Sequence, residues 1–211
     1  MSAAHNPDAP AGVRAVDASG AVPALGAEPP GDSTVVPDGR IYRAAGDVSP
    51  WERVDSEPGP DLLLFRPRYD RMRHPMSGAV LTRLVLESRD WVNVIARTTT
   101  GRYVVVRQFR FGSGRVAAEI PGGVVDPGEE PAAAAARELR EETGYTSTRW
   151  TYLGSVEPNP AFLDNRCHHF LAEDAACTDA PAPDEGEDIA VDTLSAAELR
   201  ALVGRGEIAH S

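Results

Sequence analysis

Between Gly123 and Tyr145 the chain meets two demands that seldom coincide: a run built to be helical, and carboxylates placed where they repel one another. Pro131 suits the first turn of a helix, the five alanines from Ala132 to Ala136 favour it, and Gly144 can supply the left-handed residue that ends it. Within that helix Glu138 and Glu142 are four residues apart and Glu141 is three from Glu138, so the three share a face. Ala135 and Leu139 point elsewhere and can pack on a sheet. Like charges on one face are a defect unless a cation sits among them. Hard oxygen ligands that leave room for phosphate oxygens suit Mg²⁺ or Mn²⁺. The plain alternative, a solvated acidic face, is the default for an isolated Glu-x-x-Glu-Glu.

The surrounding pattern predicts the rest of the fold. Residues 1–40 carry Leu25 and scattered valines as their only sizeable aliphatics and no aromatic, too little apolar surface to offset ordering, so they read as a disordered tail. From 41 to 86 a small β segment is expected, with strands at Leu62–Arg66 and Ala79–Leu86. In the domain expected over 87–211, Trp91–Arg97 and Tyr103–Phe109 form a hairpin through Thr98-Thr99-Thr100-Gly101. Val116–Ile120 leads into Pro121-Gly122-Gly123. Beyond the helix, strands are expected at Thr151–Val156, Arg166–Ala172 and Ile189–Leu194. Ser195 with Glu198 then opens a second helix, ended by Gly204. Strands, a helix, more strands and a helix predict an α/β (α+β) mixed sheet between helices.

The spacing Gly123, Glu129, Arg137-Glu138-Leu139, Glu141-Glu142, Gly144-Tyr145 resembles a complete Nudix box. So many matching positions, both glycines included, set aside the solvated-face reading. The resemblance implies an α/β/α sandwich preceded by the small N-terminal β segment, and a metal-dependent hydrolase that cuts a diphosphate linked to a nucleoside. The flanks narrow it. Val106-Arg107-Gln108-Phe109-Arg110, Glu119-Ile120-Pro121-Gly122-Gly123, Pro160, Arg166–Ala172 and Glu185–Val191 are similar to the ADP-ribose pyrophosphatases over residues 50–208. The resemblance implies ADP-ribose, or a related nucleoside diphosphate sugar, as substrate. Other diphosphates (dinucleoside polyphosphates, NADH, coenzyme A) are the alternative within the family. A nucleotide-binding sensor without activity is a third class, but such proteins often lose box glutamates and carry a basic helix.

The expected roles follow. Glu138, Glu141, Glu142 and Glu187, with the Gly122 carbonyl, are the metal ligands. Glu185 is the general base on a mobile loop, with Glu141 as the fallback. Arg137 pairs with Glu129 or Glu141 and holds the acidic site together. Arg110 contacts a substrate phosphate or pairs with Glu119; both readings stand, and Glu119 and Pro160 complete the substrate side. Asp164-Asn165 departs from the family's Ser-Glu pair near the distal sugar. Adjacent His168 and His169 point to opposite faces and read as structural.

Composition bounds the partners. The 211 residues suffice for one substantial core. A net charge of −11 with no basic stripe argues against a nucleic-acid surface. Cys167 and Cys177 lack metal-ligand spacing and read as reduced thiols. No apolar run approaches the roughly 20 residues of a membrane span, and no signal pattern opens the chain, so a cytoplasmic protein is expected. The resemblance also implies a homodimer through the segment before the box, where Trp51, Phe65 and Trp91 are candidates for core, dimer or base contacts. Family members usually extend further after Ile208 than Ser211 allows.

Overall fold

Strand β4 (Trp91–Thr98) organises the architecture because both of its faces are covered: Val92, Val94 and Ala96 are buried on one, Asn93 on the other. The computed structural model describes residues 48–183 and 186–208; the tail expected over 1–40 and the start of the segment expected from 41 lie outside them. Along one edge of β4 runs β10 (Cys167–Cys177), in parallel. The opposite edge is shared between two partners. There β5 (Tyr103–Arg110) pairs with β4 only at Arg97 and Tyr103, beside the Thr98–Gly101 turn, and the strands then part. The chain folds back as β6 (Arg115–Glu119) on β5. Pro121 accepts a hydrogen bond from Val94 N–H at 2.8 Å, and β7 (Gly122–Val124) takes the rest of the β4 edge. The expected hairpin is therefore made at its turn alone. The gap it leaves brings Pro121-Gly122-Gly123 into the middle of the sheet.

On the far side of β10 lie β8 (Tyr145–Thr146) and β9 (Arg149–Val156), while β11 (Ile189–Leu194) flanks β5; together they make a mixed sheet of eight strands. Helix α1 (Pro131–Thr143) buries Ala134, Ala135 and Leu139 against Val92, Val94, Val104, Phe170 and Ala172. Its end is set by Gly144, left-handed at φ 73°, whose N–H bonds the Arg140 carbonyl. Helix α2 (Ala196–Gly204) buries Leu202 against Val105, Ala118 and Leu194. Val104 and Val105 are neighbours on one strand yet join different clusters, so the helices cover opposite faces. The result is an α/β/α sandwich. The Ser195–Glu198 capping box forms as expected; the helix includes Gly204 and is capped by Arg205.

The first three strands, β1 (Glu52–Pro58), β2 (Arg66–Arg73) and β3 (Val80–Glu87), form a separate antiparallel sheet. Here the sequence pattern misleads. Leu62–Phe65 is a bend with Leu63 at φ 69°, and the strand begins where the leucines stop. The leucine run has no buried face to fill, and Leu63 is 97% exposed. Strand β2 has almost no apolar alternation; cross-strand ion pairs support its ladder instead, Arg68 with Glu87, Arg71 with Asp55, and Arg73 with Glu52. Leu86 N–H donates to Phe162 O at 2.7 Å, and Ser88 N–H to Asp164 Oδ1 at 3.1 Å, which fastens the end of β3 to the turn after β9. Both cysteines are free, Cys167 buried and Cys177 exposed. Among the described residues no helix is long and apolar enough to cross a membrane.

Candidate active site

Where β4 and β5 part, α1 lies over β7 and its carboxylates meet the glycines of that strand. Glycine is required there by close approach. A Cβ on Gly123 would stand 2.4 Å from the Glu138 carboxyl, and one on Gly122 would stand 2.2 Å from Val92 O. Position 123 is glycine because the helix comes too near for a side chain. Gly122 N–H donates to Glu142 Oε2 at 2.9 Å.

Glu142 is 3% exposed. Burial pushes its carboxyl up to about 8 against the Gly122 hydrogen bond, and the charges of Glu138 and Glu187 push the same way. Burial also raises Glu138, with Arg137 opposing. Glu187, from the loop before β11, is therefore near enough to be felt by both box glutamates. Glu185, the expected base, lies outside the described residues.

Arg137 organises the near side. Nε and Nη2 each reach Glu129 at 3.0 Å, Nη1 reaches Glu138 at 2.9 Å and Glu141 at 3.1 Å, and Nη2 also bonds Val124 O at 3.0 Å. The guanidinium has five N–H bonds to give, and this geometry takes five. The sequence offered Glu129 or Glu141 as its partner; it binds both, and Glu138 as well. Hydrogen bonds from Arg137 and from Asp126 N–H hold Glu129 below the usual carboxylate range.

Arg110 forks onto Glu119, with Nε at 3.0 and 3.1 Å from the two oxygens and Nη2 at 2.6 Å. That partner raises the guanidinium pKa most, and the charges of Glu142 and Glu187 add to it. So the Arg110–Glu119 pair stands at the margin of the same acidic face. Pro160, on the exposed turn following Asn159, stands apart from this hydrogen-bonded cluster.

The loop that carries Glu187 hangs from the end of α1: Thr178 and Asp179 N–H both bond Gly144 O, and Ala182 N–H bonds Glu141 O at 2.8 Å. Asp164 and Asn165 do other work than the family's sugar pair would. Asp164 holds Ser88, and buried Asn165 donates to Arg89 O at 3.0 Å. His168 bridges Asp90 and Tyr152, at 3.0 and 3.1 Å. The sequence reading missed Asn93, buried behind Gly122 with its Nδ2 unpaired among the described residues; a lone amide in the valine-rich β4 was the available signal.

The acidic face fits a divalent cation. A buried carboxyl raised to about 8 among like charges is one that a cation would draw into its ionised form. Among the described residues no three acidic, histidine or cysteine side chains are gathered as a finished shell, since Arg137 ties Glu138 and Glu141 to itself.

Comparison with known proteins agrees with this geometry. The family model for the NUDIX domain matches residues 88–210. An ADP-ribose pyrophosphatase of Mycobacterium tuberculosis is 34% identical over 163 residues, covering 76% of this chain and 78% of that protein. One from Bacillus subtilis is 35% identical over 133 residues, 63% of this chain and 72% of that protein. A crystal structure of an ADP compounds hydrolase matches 76% of the chain and 86% of its own with a TM-score of 0.67; at 19% identity it speaks for the fold.

Proposed function

The chain belongs to the NUDIX-domain family and is a diphosphatase of it, and from that premise we propose that it hydrolyses ADP-ribose or a related nucleoside diphosphate sugar to a nucleoside monophosphate and a sugar phosphate. The family depends on a divalent metal; Mg²⁺ is proposed here, with Mn²⁺ able to replace it. The observation that carries the reading is one acidic face on which the field of a second loop's Glu187 meets half-buried Glu138 and buried Glu142, with an arginine at its margin. The names of the two bacterial relatives support the substrate.

Glu138, Glu141, Glu142, Glu187 and the Gly122 carbonyl would hold the metal. A cation held there would supply positive charge to offset that of the diphosphate oxygens. The protein's own groups do the rest. Arg137 keeps Glu129, Glu138 and Glu141 in one arrangement. Arg110 takes a phosphate oxygen, and Pro160 shapes the turn on the substrate side. Glu185, or Glu141 in its place, accepts the proton of the attacking water. Water oxygen bonds to one phosphorus, the bridging oxygen leaves on the other, and both products carry away a phosphate. Such catalysis is positioning and electrostatics.

Protein supplied with Mg²⁺ should convert ADP-ribose into products from which phosphatase releases phosphate. Glu142→Gln should abolish that release with the circular dichroism spectrum unchanged; full activity in the variant would remove Glu142 from the site. A second reading, a dinucleoside polyphosphate, NADH or coenzyme A as substrate, is favoured by the use of Asp164 and Asn165 as structural ties where the family has its sugar contact. A substrate panel with product identification separates the two.

The protein is further proposed to be a cytoplasmic homodimer, joined through the segment at 41–86, where Tyr69, Leu81 and Leu84 leave apolar surface exposed on β2 and β3. Leu84→Glu should shift the sedimentation coefficient from dimer to monomer. An unchanged dimer would move the interface elsewhere.

A further inference from the structure

Of the two roles open to Arg110, the structure shows the pairing with Glu119. Glu119 is 4% exposed, on a strand whose neighbouring Ala117 and Ala118 are also buried. A carboxylate in such a position destabilises unless it is paired. Both of its oxygens are taken by one guanidinium. The grip uses Nε and Nη2, and Nη1 makes no hydrogen bond among the described residues. Arg110 meanwhile lies in the field of Glu142 and Glu187. Released from Glu119, it would be drawn to those two carboxylates.

We propose that Glu119 is a positioning residue that acts through Arg110: it fixes the guanidinium so that its remaining edge meets a substrate phosphate oxygen, and it keeps that cation off the carboxylates that take the metal. The role rests on the reading of Arg110 as the phosphate contact. It also explains the residue types. Only a planar fork can be held by one side while offering the other, which lysine cannot do.

A double-mutant cycle tests it, with wild type, Glu119→Gln, Arg110→Ala and the double variant assayed on ADP-ribose or whichever nucleoside diphosphate compound is turned over. Glu119→Gln should raise KM about tenfold, the scale of one charge-assisted hydrogen bond, with kcat within about twofold. The double variant should be no worse than Arg110→Ala. In parallel, Mn²⁺ titrated by electron paramagnetic resonance should bind more weakly to Glu119→Gln and recover in the double variant, where no arginine is left to compete. Additive losses in the cycle, or Mn²⁺ binding equally weak in Glu119→Gln and the double variant, would overturn the proposal. Arg110→Lys gives a route that leaves Glu119 paired with a charge: its KM should rise as in Glu119→Gln, and a wild-type KM would count against the fork. If no diphosphate is hydrolysed, the functional reading fails, while the Mn²⁺ titration still decides whether Glu119 restrains Arg110.

Discussion

The two sheets of this molecule are held together by opposite means. The eight-stranded sheet is dry where α1 crosses it: Val92, Val94, Ala134, Ala135, Leu139 and Ala172 are almost wholly withdrawn from water. The three-stranded sheet has seven exposed residues in β1 and a ladder braced by arginine–carboxylate pairs, with Asp70 as its buried anchor. One region relies on apolar burial and holds against it a half-buried acidic face, of which Glu142 is the buried member. The other relies on charge and exposes apolar side chains. The electrostatic strain therefore sits in the better-packed part, where a rigid frame can sustain it.

Acid and alkali should pull these regions apart. Burial holds Glu142 at about 8 against an ordinary 4.5, so between those values the folded protein binds the extra proton. With metal chelated, its contribution is complete below pH 4.5 and is lost as pH rises through 8, a change on the order of 5 kcal/mol. Saturating Mg²⁺ should flatten that fall. Asp70 has the reverse sign. Burial pushes it up, yet the Ser56 hydroxyl and Arg68, helped by Arg53, outweigh burial and hold it below its ordinary 3.8. Its contribution is present above that value and lost on further acidification. Melting temperatures from pH 3 to 9, with chelator and with Mg²⁺, check both; a flat chelated profile above pH 5 would contradict the assignment to Glu142.

Substitutions sharpen the contrast. Leu139→Ala should destabilise the whole fold by about 3 kcal/mol, through lost burial and the cavity left behind, as read from urea midpoints. Asp70→Ala should cost less, about 2 kcal/mol, with increased hydrogen exchange confined to β1–β3. Uniform exchange across both sheets would mean that they unfold as one unit.

The regions also differed in how much their residues disclosed. Around the box the determinants are local: Pro131 and Gly144 bound the helix, the glutamate spacing sets its face, and Ser195 with Glu198 opens α2. These are i, i+3 and i, i+4 relations that a sequence displays directly. Strand β2 was hidden because its partners lie on other strands, so the strand was expected in the leucines before it, at Leu62–Arg66. The parting of β4 from β5 was hidden for the same reason, since Pro121 and Val94 meet through the backbone. The reach of Arg137 to three carboxylates needed the fold of the box loop as well as the spacing along the helix. The need for glycine at 123 was legible only as a pattern until the approach of Glu138 gave it a cause.

The hydrogen bonds from Thr178, Asp179 and Ala182 to the end of α1 bear on rate as well as shape. On the proposed reading, in which Glu187 serves the metal, they anchor the approach to its loop at Ala182, seven residues before β11 begins at Ile189. A group on so short a leash is present at high effective concentration, because the wider volume it would otherwise explore has been removed beforehand. Gly144 is the knot in that leash. A Cβ there would stand 2.1 Å from Asp179 O, so a side chain at the helix end would displace the anchor and, on the proposed reading, loosen Glu187 from the metal.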